Sequence, residues 1–172
     1  MYEIQLFGRL EVRTRGVRLA GSDFGGEKPR HILALLALRG VLRSDELTEL
    51  LWSGRPPVDH PAAVRAYVSV LRHRLDPHAS ARESVIAGSD GGYALVSDRV
   101  RVDVARFDEL VNAAYGRTAR RAVPPLTAAA HLAARPLLAG ERSAWADAAR
   151  ELYRTRLRET QALLGRAVEL VA

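Results

Sequence analysis

The chain has 172 residues, 48% hydrophobic and 27% charged, a balance that excludes a disordered or collagen-like polymer and allows one domain or two small ones. It has no cysteine, which excludes disulfides, thiol nucleophiles and zinc-thiolate sites and leaves packing to supply the stability. Its 26 basic and 20 acidic side chains give a net charge of +6, which suits polyanionic partners. Lys28 is the only lysine, and an arginine skew of this kind also follows from mutational bias in a GC-rich genome. Residues 1 to 99 carry 14 basic and 12 acidic residues, and residues 100 to 172 carry 12 and 8, so net charge marks neither half as DNA-binding. The start, Met1-Tyr2-Glu3-Ile4, lacks the basic and apolar regions of a signal peptide, and no apolar run approaches the roughly 18 residues of a membrane span. A cytoplasmic protein without a membrane partner is expected.

Along the first twenty residues Tyr2, Ile4 and Leu6, then Leu10 and Val12, then Val17 and Leu19 alternate, with turns at Gly8 and Arg15-Gly16. This predicts a small antiparallel sheet. After the glycine-rich loop Gly21 to Gly26, a buried helix is predicted over Pro29 to Arg39, ended by Gly40. Ser44 is placed to cap a second helix with Asp45 and Glu46 in its first turn and a stripe of Leu47, Leu50, Leu51 and Trp52, stopped by Gly54, Pro56 and Pro57. Asp59 is placed to cap a third, with Val64, Val68, Leu71 and Leu75 inward and Asp76-Pro77 at its end. Val85-Ile86 and Tyr93 to Val96 flank Ser89-Asp90-Gly91-Gly92, a hairpin composition.

From about Val102 the strand signals vanish. Helices are predicted over Ala105 to Ala114, Pro125 to Arg135 and Ser143 to Val171, separated by Gly116, Pro124-Pro125, Pro136 and Gly140. On the last, Trp145, Ala149, Leu152, Leu157, Leu164, Val168 and Val171 approximate one face. Arg150, Arg154 and Arg158 recur every fourth residue on another, read either as a solvated face beside Glu151 and Glu159 or as a partner or phosphate surface.

The third helix carries the functional signal. At about 100° per residue, the side opposite its valines and leucines presents Ala62, Ala66, Ser69, Val70 and His73, flanked by Arg65 and Arg72 on one side and by Arg74 and Tyr67 on the other. No acid lies between His60 and Leu75. Small outward residues allow close approach to a major groove while neighbouring cations meet phosphates. With a sheet before and a hairpin after, the order sheet, three helices, hairpin is that of a winged helix.

The segments Leu6-Phe7-Gly8-Arg9-Leu10-Glu11-Val12, Leu51-Trp52 with Pro56-Pro57, Ala66-Tyr67-Val68-Ser69 with Leu71-Arg72, Gly92-Tyr93-Ala94-Leu95, and Val102-Asp103-Val104-Ala105-Arg106-Phe107 together resemble the Streptomyces antibiotic regulatory protein (SARP) family. The resemblance implies an α+β winged helix-turn-helix domain of OmpR type over residues 1–98. It implies part of an all-α, tetratricopeptide-like bacterial transcriptional activator domain over 99–172, a domain of which the chain covers about half. It also implies a transcriptional activator that binds direct repeats as a side-by-side dimer and recruits RNA polymerase. On that basis the DNA-binding residues are Arg65, Tyr67, Ser69, Val70, Arg72, His73 and Arg74, Ser89 to Gly92 form the wing tip, and the loop Ser53 to Asp59 can face polymerase. Val70 departs from the pattern, since relatives often place a base-reading arginine there. Either Val70 and Ala66 meet thymine methyls or the module binds DNA poorly.

Enzymatic readings are weaker. Gly21-Ser22-Asp23-Phe24-Gly25-Gly26-Glu27-Lys28-Pro29 misses a phosphate-binding loop, because Glu27 intrudes before Lys28 and Pro29 replaces the magnesium-ligating hydroxyl. His31, His60, His73, His78 and His131 form no ligand pair with a nearby acid, and no Ser, His and acid group can be assembled from spacing. No cofactor, metal or catalytic residue is expected. The alternative from another class is a degenerate winged helix that serves as a protein-interaction module without sequence-specific DNA binding.

Overall fold

The computed structural model describes all 172 residues, the side chain of Ser89 apart. The chain folds into two compact units, one of residues Met1–Ile4 and Glu11–Arg101, the other of Gln5–Leu10 and Val102–Ala172. Among the described residues no helix is long and apolar enough to cross a membrane.

The first unit begins with a four-stranded sheet in the order β3-β2-β1-β7, formed by β1 (Tyr2–Gln5), β2 (Glu11–Thr14), β3 (Val17–Ala20) and β7 (Val100–Val102). β2 and β3 pair antiparallel from Glu11↔Ala20 to Thr14↔Val17. Arg15 and Gly16 both take positive φ, 48° and 78°, the geometry a two-residue hairpin turn demands. A 3-10 turn at Gly21–Phe24 leads to α1 (Glu27–Arg39), whose run Ile32 to Leu36 is entirely buried.

α2 (Ser44–Trp52) starts one residue before its expected cap allows: Arg43 holds the N-cap position and its N–H donates to Glu46 Oε2 at 2.8 Å. Ser44 is already helical, and its carbonyl accepts the Thr48 hydroxyl. α3 (His60–Leu75) buries Val64, Val68, Leu71 and Leu75, the stripe its periodicity predicts. Asp59 sits at its N-cap with no side-chain capping bond.

The hairpin of β5 (Ile86–Ser89) and β6 (Gly92–Leu95) turns through Asp90 and Gly91, with φ of 27° and 78°. β4 (Val41–Arg43) pairs with β6, Leu42 opposite Tyr93 and Arg43 opposite Gly92. Only glycine fits at 92, since a Cβ there would stand 2.1 Å from the Leu42 carbonyl oxygen. The sequence pattern predicts neither β4 nor β7. Each is three residues long, too short for alternation to register. The unit is a winged helix-turn-helix.

The second unit is helical: α4 (Asp103–Ala114), α5 (Ala119–Leu132) and α6 (Ala144–Glu169). α4 starts two residues before the expected Ala105 because Asp103 does more than begin a helix. Its carboxylate accepts the N–H groups of Leu6 (2.9 Å) and Phe7 (2.8 Å). Phe7 then lies edge-on to Phe107 (centroids 5.8 Å apart) and to Tyr153 (5.6 Å). The Arg156 guanidinium stands over both the Phe107 and Tyr153 rings and pairs with Asp108 at 2.6 Å. Burial pushes the carboxyls of Asp103 and Asp108 upward and the Tyr153 hydroxyl up to about 12.

Two expectations fail here. α5 begins six residues before Pro125 and runs through Pro124-Pro125, which the sequence reading makes a separator. The carbonyls these prolines cannot engage are those of Arg120 and Arg121, both exposed residues on the solvent side of the helix. Ala122, Leu126 and Ala129 meanwhile bury one side of the helix. On α6 the assigned face holds only in part: Trp145 is buried and Leu164 packs against Ala114, Ala122 and Leu126, but Leu152, Val168 and Val171 are exposed. Besides Trp145, the buried positions are Ala146, Tyr153, Thr160 and Ala167, a seven-residue step that a search for aliphatic residues passes over because one member is Thr and another an aromatic with a hydroxyl.

Candidate nucleic-acid interface

α3 builds an acid-free helix face in the first unit. Its buried stripe turns Arg65, Ala66, Ser69, Val70, His73 and Arg74 to solvent. Among the described residues no hydrogen bond or ion pair engages the side chains of Arg65, His73 or Arg74, so these donors are available to a ligand. Small Ala66 and Ser69 lie between the cations, leaving the middle of the face shallow.

Val70 in part, and the remaining predicted positions, are held from within. Val70 is 38% exposed, yet its Cγ1 lies 2.4 Å from where a Cβ on Gly25 would stand. The branched side chain thus packs on bare backbone of the 3-10 turn, and Gly25, at φ +88°, is the residue that makes room. Tyr67 is half-buried with its ring 6.2 Å from that of Trp52. Lys28, the lysine of the near-miss phosphate loop, donates to the Leu51 carbonyl at 2.6 Å and lies 5.8 Å from the Trp52 ring centroid. It fastens the end of α2.

Arg72 differs most from its expected role. Its Nε and one terminal nitrogen both donate to the Ile86 carbonyl, at 3.0 and 2.8 Å, and its guanidinium stands 5.9 Å over the Tyr93 ring. Arg72 therefore ties α3 to the hairpin, with the other N–H groups of its fork left over for a phosphate. The Ser44 N–H donates to the Gly91 carbonyl at 2.9 Å, tying α2 to the same turn. These two links hold the wing, and the sequence signalled neither: both use backbone carbonyls, which have no side-chain code. At the turn Asp90 is exposed, so the tip offers a carboxylate where phosphate binding wants a donor. The side chain of Ser89, also assigned to the tip, lies outside the described residues.

The arginines of α6 are disposed otherwise. Arg150 donates to the carbonyls of Leu137 (3.0 Å), Leu138 (3.0 Å) and Glu141 (2.9 Å) and pairs with Asp147. Arg154 and Arg158 both pair with Glu151. The stripe is a solvated, charge-compensated face with one structural clamp.

No family model matches the chain. Among curated proteins, the regulatory protein AfsR of Streptomyces coelicolor is 38% identical over 93 residues, 52% of this chain and 9% of AfsR. Among solved structures, Mycobacterium tuberculosis EmbR, in complex with a low affinity phosphopeptide, superposes with a TM-score of 0.61 at 27% identity, covering 99% of this chain and 41% of that one. The chain thus spans less than half the length of either. It is similar in sequence to a regulatory protein and in fold to EmbR, and its winged helix followed by helices is the architecture that the SARP resemblance implies.

Proposed function

We propose that this SARP-type chain is a sequence-specific DNA-binding transcriptional regulator, an activator whose first unit reads a promoter and contacts RNA polymerase. α3 enters the major groove, Arg65 and Arg74 meet phosphates, and Ala66, Ser69, Val70 and His73 face base edges. The observation that carries this reading is the acid-free outer face of α3, with its cations unpaired and its centre shallow. Arg72 and Tyr67 act mainly by setting the helix against the wing and α2. Without an arginine at 70 the face has no bidentate guanine reader among its central residues, and discrimination of about 1 to 3 kcal/mol per guanine contact is absent. The methyls of Ala66 and Val70 favour thymine instead. Dimerisation on direct repeats and residence in the cytoplasm belong to the same proposal, as does the division of labour between residues 1–98, for DNA, and 99–172, for protein contacts.

A gel-shift series with random duplexes at low and moderate salt, followed by selection of bound genomic fragments, tests it. The expected result is a saturable, salt-sensitive complex and an enriched thymine-rich motif. The second reading, a winged helix that occupies a protein partner, is favoured by Val70 and by the carboxylate at the wing tip. It predicts no enriched motif and no protected site.

A further inference from the structure

The second unit has a hollow of about 270 Å³ where the end of α4, the start of α5 and the end of α6 meet. It exists because small residues stand where larger ones would fill it: Ala114, Gly116, Ala119, Ala122 and Ala167 are on its wall. Buried Val111 and Leu126 and half-buried Leu163 also line it, and among the described residues no carboxylate does. Arg117 and Arg166 lie at the mouth, both exposed. Among the described residues neither side chain has a hydrogen-bond or ion-pair partner. Elsewhere in this unit Arg106, Arg150, Arg154, Arg156 and Arg158 are each paired with a carboxylate. Among the described residues Arg117 and Arg166 share the unpaired state with Arg120, Arg121, Arg135 and Arg142 and differ from them in lining the hollow. The hollow is thus apolar within and free of acid, and its exposed rim carries Arg117 and Arg166 beside Tyr115 and Leu170.

We propose that this hollow is a binding site for a compact amphipathic carboxylate, its hydrocarbon body among the alanines and its carboxylate between Arg117 and Arg166. The size sets the class of ligand. At about 30 Å³ per water-sized group, the volume takes roughly nine such groups, the body of a medium-chain fatty acid or an arylalkanoate. A partner helix needs anchors over several turns, and the hollow is lined by the last turn of α4 and the first turn of α5 together with Leu163, Arg166 and Ala167 of α6. Pockets between bundled helices, apolar with a few placed polar groups, are a common setting for small ligands. A ligand there bridges all three helices and stabilises the unit by mass action.

The site is independent of DNA binding by α3 and is tested on the full chain with octanoate as the probe. Titration followed by amide NMR is expected to show saturable binding, with shifts centred on Gly116, Ala119, Leu126 and Ala167. Octanol, which keeps the body and lacks the charge, is expected to bind about tenfold more weakly or worse. Arg117→Ala and Arg166→Ala together are expected to weaken octanoate by a similar factor while the thermal midpoint of the free protein stays unchanged. Octanol binding as tightly as octanoate, shifts centred elsewhere, or no saturation at about 10 mM would each overturn the proposal. So would shifts at the same amides produced by protein concentration alone, which would make a second copy of the chain the occupant.

Discussion

α3 and α6 look alike as strings of letters, each a helix studded with arginine, and the structure separates them. On α3 the outward arginines have no partner, because no acid lies between His60 and Leu75. On α6, Asp147 and Glu151 stand three residues before Arg150 and Arg154 and neutralise them. Spacing to the nearest carboxylate, more than arginine count, decides whether cationic charge is available to a polyanion or spent inside the fold. Arg72 adds a second way of spending it, on a backbone carbonyl.

Substitutions sharpen this contrast, beginning with the costliest. Arg150→Ala removes the Arg150 donor from three carbonyls of the segment 137–141, of which Leu138 keeps the Glu141 N–H, and is expected to destabilise the second unit by about 2 to 4 kcal/mol. A melt of the full chain reads this. Gly25→Ala forces both a strained φ and a clash with Val70, so a loss of about 1 to 3 kcal/mol is expected in denaturant titration. Val70→Ala in the same background should recover part of it. Arg72→Ala removes two bonds to Ile86 and is expected to cost about 1 to 2 kcal/mol. Faster amide exchange in β5 would show the wing loosened, and unchanged exchange would return Arg72 to the role of a plain phosphate contact. Arg154→Ala is expected to change stability by less than about 0.5 kcal/mol, as for exposed ion pairs generally.

The carboxylates of the two units also differ, in the sign of their pH dependence. Hydrogen bonds from Arg18, and then from Arg13, hold Glu11 below its ordinary value of 4.5. The stability Glu11 contributes is present above 4.5 and lost as pH falls through the lowered value. Burial raises Asp103 above its ordinary 3.8, against the pull of the Phe7 and Leu6 N–H groups. Its contribution is fullest below 3.8 and declines as pH rises through the raised value. Acid titration of Glu11→Gln should therefore flatten the acid limb of stability, whereas Asp103→Asn should not.

Much of the first unit was legible because its elements are long and its periodicity clean. The stripe Val64, Val68, Leu71 and Leu75 placed α3, and with it the outward residues of the candidate site. Where reading failed, the cause was local. Three-residue strands carry no period, the prolines in α5 orphan carbonyls of exposed residues, and the buried stripe of α6 includes Thr160 and Tyr153. The two motifs Leu6-Phe7-Gly8 and Val102 to Phe107 carried a resemblance without a reason. The structure supplies one, since Asp103 grips the backbone of Leu6 and Phe7 and Phe107 meets the Phe7 ring. Contacts separated by 96 and 97 residues are invisible to any window along the chain.

The dependence of duplex affinity on salt, measured for the native chain, for Arg65→Ala/Arg74→Ala and for Arg154→Ala/Arg158→Ala, addresses the central claim most directly. The account predicts that the α3 pair lowers the slope of log affinity against log salt by about 1.8, or about 0.9 per phosphate contact, while the α6 pair leaves the slope where it was. Equal slopes for the native chain and the α3 pair, or a drop confined to the α6 pair, would contradict it.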